Sequence, residues 1–150
     1  MDKLKPLNKK EVKEILNKLK EQFGTEDLKL DYIFFINSED KIFLLSNKFK
    51  EFDNKVNINS LGIYFATLKE KEIRLSIEGS QIVGKKAKKN IIEIDNDDLR
   101  KWTRGEDLDY NENEKGFVLI KNKKDFYGCG RIVKDKIFNY VPKDRRMEII

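Results

Sequence analysis

After one amphipathic helix near its start, the chain delivers its apolar residues in short runs, each closed by a polar turn. The runs fall at residues 32–36, 42–45, 60–68, 72–77, 91–94, 117–121, 126–133 and 136–141. Aromatic and β-branched runs of this length, bounded by Asn, Asp, Lys and Gly, predict strands. None approaches the roughly 20 apolar residues that span a bilayer. The N-terminus alternates in charge and shows no apolar signal core, so a soluble, cytoplasmic protein without a membrane partner is expected.

The helix is well marked at both ends. Asn8 is placed to cap it, and Glu11 stands three residues on, as in a capping box. Val12, Ile15, Leu16, Leu19 and Phe23 share one face. Gly24 is a suitable stop. Residues 47–60 are polar, rich in Asn and Lys, and predict a surface loop. Residues 79–83 suggest a short helical connection. Near Gly84 the pattern starts afresh. A strand at 91–94 is followed by Asp95, which caps a helix over 96–102, and Gly105 ends that helix. Several short strands with one or two helices predict an α+β chain ending in a small, partly closed β-barrel. Two parts follow, residues 1–84 and 85–150.

Composition removes whole classes of chemistry. There is no histidine, so neither Ser-His-Asp nor Cys-His catalysis is available. The single cysteine, Cys129, excludes an internal disulfide and a multi-cysteine zinc site. Asp95, Asp97 and Asp98 lack the later Gly and Glu of a calcium loop and suit helix capping better. No catalytic residue, cofactor or metal is expected.

Charge points elsewhere. The net is only +5, but it is polarised along the second part. Residues 84–90 carry four lysines and no acid. Residues 93–114 carry three basic and nine acidic groups, a net of −6. Residues 115–146 carry ten basic and three acidic groups, a net of +7. A basic surface with an acidic counter-face attracts phosphate and disfavours the wrong docking orientation.

Three stretches are distinctive: Lys115-Gly116-Phe117-Val118-Leu119-Ile120, then Phe126-Tyr127-Gly128-Cys129-Gly130-Arg131, then Asn139-Tyr140-Val141-Pro142-Lys143-Asp144-Arg145-Arg146. Together they resemble the PUA-type C-terminal region of the Fmu/Sun family of RNA 5-methylcytosine methyltransferases. Upstream, Ser60-Leu61-Gly62-Ile63-Tyr64-Phe65 through Arg74-Leu75-Ser76 is similar to the segment before the PUA domain there. It is similar also to the equivalent segment in Nip-seven-type ribosome-biogenesis proteins. Trp102-Thr103-Arg104-Gly105-Glu106-Asp107-Leu108 resembles a further PUA pattern. The resemblance covers about residues 61–146. It implies a pre-PUA α/β module, a helix on antiparallel strands, followed by a PUA-like barrel that holds structured RNA. A glycine-rich cofactor loop and a Pro-Cys motif do not occur in the sequence, so the methyltransferase activity of that family does not carry over.

The expected RNA contacts are Lys85, Lys86, Lys88, Lys89, Tyr127, Arg131, Tyr140, Lys143, Arg145 and Arg146. Arg131 offers a bidentate guanidinium. Lys143, Arg145 and Arg146 follow the stiff Pro142 and form either a phosphate clamp or a solvated tail. The lysines at 85–89 form either a second phosphate rim or a soluble linker. Tyr127 and Tyr140 either stack on bases or pack the barrel. Phe117, Phe126 and Phe138 are expected in the core, and Cys129 with them. Gly128 and Gly130 mark either a tight corner or a surface kept flat for an RNA backbone. The function expected is a non-catalytic RNA-binding protein, an accessory or targeting factor in rRNA or tRNA modification or ribosome biogenesis. Its partners would be structured RNA and a separate RNA-modification enzyme. The alternative is an interaction adaptor that docks on a ribosome-assembly protein, with RNA contact incidental.

Overall fold

A computed structural model of the chain describes residues 3–46, 62–112 and 114–147. The loop expected at 47–60 lies outside the described residues. Among the described residues, two five-stranded sheets make up the fold, with three α-helices packed on and between them.

The first sheet runs in sequence order: β1 (Lys5–Pro6), β2 (Tyr32–Ile36), β3 (Lys41–Ser46), β4 (Ile63–Lys69) and β5 (Glu72–Leu75), all antiparallel. Helix α1 (Lys9–Phe23) covers it. The Asn8 side chain accepts from the Glu11 N–H at 2.8 Å, and the Glu11 carboxylate accepts from the Asn8 N–H at 3.1 Å. Gly24, at φ +68°, closes the helix in the left-handed conformation that glycine adopts without a steric penalty. Ile15, Leu19 and Phe23 press into Phe34, Ile42, Leu44, Phe65, Ile73 and Leu75. Each fully buried side chain of this size stabilises the fold by roughly 1.5–3 kcal/mol. Gln22 on α1 also meets the outer edge of β5. Its amide donates to the Ile73 carbonyl at 2.6 Å and accepts from the Ile73 N–H at 2.8 Å. Backbone groups on a sheet edge are thereby satisfied by a side chain.

Helix α2 (Ile77–Gly84) leads from the first sheet to the second. Ser76 caps it, accepting from the Gly79 N–H at 2.9 Å. The helix lies tight in the seam. A Cβ at Gly79 would fall 2.1 Å from the Phe65 carbonyl oxygen on β4, and one at Gly84 would fall 2.5 Å from the Phe126 ring. The Ser80 hydroxyl accepts from the Gly128 N–H at 3.0 Å.

The second sheet has the order β6 (Ile91–Glu93), β8 (Gly116–Asn122), β9 (Asp125–Val133), β10 (Lys136–Asn139) and β7 (Leu108–Asp109). Only β6 and β8 pair in parallel. This sheet curls into a half-barrel closed by α3 (Asn96–Thr103), whose Trp102 is fully buried. The indole N–H donates to the Tyr127 carbonyl at 2.8 Å. The fold is therefore α+β, with a PUA-like barrel following a helix-on-sheet module, as the sequence predicts.

The inner strand β8 is buried on both faces. Side chains alternate across a strand. Phe117 and Leu119 join the core of the first module, whereas Val118 and Ile120 join Trp102, Ile132 and Ile137 in the barrel. On β9, Phe126 and Cys129 face the first core and Ile132 the second. The buried cluster thus runs through residue 84 into the second half of the chain. Phe138 departs from expectation. It is 44% exposed, because Ile137 takes the inward position on β10 and its neighbour must point out.

Candidate nucleic-acid interface

Period-2 alternation sets the first wall of the interface. On β5, Ile73 and Leu75 are buried, so Glu72 and Arg74 point away from α1. The opposite wall is the end of β10. Asn139 pins it: the side-chain amide donates to the carbonyls of Trp102 (2.8 Å) and Glu106 (2.9 Å) and accepts from the Val141 N–H (2.7 Å). Tyr140, held between these bonds, turns toward the first module and packs partly buried against its core.

Arg74 and Tyr140 meet across the seam, the guanidinium carbon lying 4.4 Å from the ring centroid. Tyr140 in turn packs on Phe117 at 6.1 Å, tilted by 53°. Arg131 lies over Phe117 at 5.7 Å. Four side chains form one row, Arg74, Tyr140, Phe117 and Arg131. Among the described residues neither arginine pairs with a carboxylate. Arg100, Arg104 and Arg145 do, with Asp97, Glu106 and Glu78. A guanidinium resting on a ring face keeps its N–H fork available to an anion.

Three cavities join along this row. One of about 510 Å³ lies between β4, β5, the start of α2 and the tail after β10. A second, about 590 Å³, shares Arg74 and Tyr140 with it, and a third, about 350 Å³, shares Glu72 and Arg131 with the second. Eight cationic side chains and four carboxylates line the three together, a net of +4. The groove is basic and draws on both modules.

The residues expected from sequence divide between this groove and other places. Arg131, Tyr140 and Arg145 line it. Arg145, on the 3-10 turn Lys143–Arg145, reaches the Glu78 carboxylate of α2 at 2.5 Å. Lys143 and Arg146 do not join it there. Lys143 is solvated, and Arg146 folds over Gly105 and donates toward the Val141 carbonyl at 3.4 Å. Lys85 and Tyr127 border a separate hollow beside Lys124, at the far end of α2. Lys88 and Lys89 wrap the end of α1. Their backbone N–H groups donate to the Phe23 carbonyl at 2.8 and 3.2 Å, and the Lys88 ammonium lies 3.8 Å from Glu26. Lys86 is exposed. Cations at a helix C-terminus are favoured by its dipole.

Sequence reasoning passed over six of the eight cations that line the groove, Lys41, Lys69, Lys71, Arg74, Lys115 and Lys134, and of these Arg74 sits on the aromatic row. Alternation with Ile73 and Leu75 puts Arg74 on an outer face, but nothing local to β5 says that Tyr140 waits there. The flat-surface reading does not hold for Gly130, which is buried in the barrel, whereas Gly128 borders the first cavity. A Cβ at Gly130 would fall 2.5 Å from Ile137 and 2.8 Å from Trp102, so this glycine serves the close-packed barrel. Cys129 is buried, and burial pushes its thiol up to about 12. At neutral pH it is a packed thiol rather than a nucleophile. Asp95 caps α3, accepting from the Asp98 N–H at 2.8 Å. Among the described residues no three Cys, Asp or Glu side chains gather as a metal site. Nor is any of the described helices long and apolar enough to cross a membrane.

A helix-on-sheet module leaning on a curled, PUA-like half-barrel, with a basic groove between them, defines the class of protein. Comparison with known proteins agrees. Residues 89–147 match the family model described as the methyltransferase RsmF PUA domain. The chain is 26% identical over 141 residues to the ribosomal RNA small subunit methyltransferase F of Aeromonas salmonicida (strain A449), covering 93% of this chain and 29% of that protein. It is 25% identical over 107 residues to the protein of the same name from Vibrio vulnificus (strain YJ016), covering 71% of this chain and 22% of that protein. The chain thus spans less than a third of the length of these relatives. The resemblance carried by the tail motifs holds, and residues 89–147 are similar to a PUA domain of that kind.

Proposed function

We propose that the chain is a non-catalytic RNA-binding protein, an accessory or targeting factor in rRNA or tRNA modification or ribosome biogenesis. It would act in the cytoplasm beside a separate RNA-modification enzyme. The observation that carries this is the inter-module groove, net +4, with two guanidiniums held on rings and free of carboxylate partners. The match to a PUA domain of rRNA methyltransferases supports the same reading. Holding RNA by phosphates and shape needs no cofactor.

A salt titration of the chain against structured rRNA and tRNA fragments tests it. About four neutralised phosphates give a log–log slope near −3. Arg131→Ala with Arg145→Ala should weaken binding by about tenfold or more and make the slope shallower. Absence of RNA binding at low salt, or methyl transfer to RNA by the purified chain alone, overturns the reading. One observation favours the adaptor alternative: Phe138 and Met147 are 44% and 58% exposed, and such apolar side chains suit a protein partner. In that case a ribosome-assembly protein would bind through Phe138, and loss of the groove arginines would leave RNA affinity unchanged.

A further inference from the structure

We infer that the 510 Å³ cavity between the modules seats one unpaired nucleotide of the bound RNA, its base against the Arg74–Tyr140 stack and its phosphate on Lys41 and Arg145. This rests on the RNA-binding reading above and says where, and in what form, the RNA is read.

Size is the first support. Sites for small ligands span about 300–1,000 Å³, and a single nucleotide falls within that range. The nature of the walls is the second. A cleft that met only phosphates would need cations alone. Here Ile63, Ile77 and Val141 supply an apolar lining, and Ile63 is 36% exposed. Apolar surface beside a guanidinium on a ring suits the face of a base, since bases stack on aromatic side chains and on arginine planes alike. Third, cations stand among the lining residues. Arg145 and Lys41 each meet one carboxylate, Glu78 at 2.5 Å and Glu39 at 3.4 Å, in part-exposed pairs that leave further N–H donors for a phosphate, while the apolar residues lie between the two modules. A nucleotide has the same division into an apolar ring and an anionic phosphate.

The cavity also shares Arg74 and Tyr140 with the next basic hollow, so a strand can continue from one into the other. In an A-form duplex the base faces are stacked on one another. Only an unpaired or extruded base can enter. Neither module has the site alone: Lys41 and Arg74 come from the first, Tyr140 and Arg145 from the second.

The test uses the whole chain and short single-stranded oligoadenylate and oligocytidylate, each also made with one base deleted at successive positions while the sugar and phosphate stay. At one position the missing base should lower affinity by roughly tenfold or more. In Arg74→Lys, which keeps the charge and loses the plane, that penalty should vanish, and Tyr140→Leu should behave alike. Tyr140→Phe should keep it. Thermal unfolding of each variant confirms the fold, and Arg74→Lys, at a partly exposed site, carries the test if Tyr140→Leu is unstable. No penalty at any position in the parent chain overturns the inference, as does a penalty unchanged in Arg74→Lys. In both cases salt-dependent RNA binding would persist and the proposed function would stand. Loss of all RNA binding by the parent chain would instead defeat the proposed function itself.

Discussion

Two basic regions, similar when written as sequence, differ once folded. The lysines at 85, 86, 88 and 89 are exposed at the ends of α1 and α2, where two backbone N–H groups close the helix and one ammonium faces Glu26. The groove holds arginines from both modules, set on Tyr140 and Phe117, beside an apolar lining. Charge counting ranks the lysine cluster first, as four cations in five residues. Disposition reverses the order. A mobile ammonium is a point charge on a flexible stem, whereas a guanidinium fixed on a ring presents a directed pair of donors.

The contrast breaks most severely if the groove loses its frame. Asn139→Ala removes three side-chain hydrogen bonds around Tyr140 and should cost about 3 kcal/mol, read as a fall in the denaturation midpoint. RNA affinity should fall with it even though no cation has changed. Arg131→Ala alone comes next, at roughly 1–2 kcal/mol of binding free energy, with stability nearly intact. Smaller still is the effect of changing Lys85, Lys86, Lys88 and Lys89 together to Ala. RNA affinity should drop only about threefold, a general electrostatic loss abolished by moderate salt. A drop larger than that of Arg131→Ala would invert the comparison. Glu26→Gln should shift stability by less than about 0.5 kcal/mol, since its partner Lys88 is exposed.

Cys129 gives a pH signature for the seam between the two regions. Its thiol ionises near 9 when free of the fold and near 12 within it, because burial disfavours the thiolate. Between those values the unfolded chain binds fewer protons than the folded one, so stability should fall as pH rises through 9. Cys129→Ala should remove that part of the decline in alkaline denaturation curves.

Much of the frame was legible in the sequence. Asn8, Glu11 and Gly24 mark both ends of α1, because capping is local chemistry. Asp95 marks the start of α3 for the same reason. The tail motifs around Phe117, Gly128 and Tyr140 carried the family likeness. What escaped is non-local. Arg74 and Tyr140 are far apart in sequence and meet only because two sheets share a seam. Phe138 looked like core because Ile137 beside it is core, and apolar character alone does not say which neighbour turns inward. The two-residue strands β1 and β7 are too short to show any periodicity. Lys143, Arg145 and Arg146 look like one unit in sequence, but a 3-10 turn sends them in different directions.

Strand β8 has a consequence for how the molecule yields to change. Since Phe117 and Leu119 serve one core while Val118 and Ile120 serve the other, a slip of one residue would hand each core the other's side chains. The strand behaves as a party wall: neither room can be rebuilt without the neighbour's consent. Heat should therefore take both halves in one transition, and the passage between them should keep its width until the whole building goes.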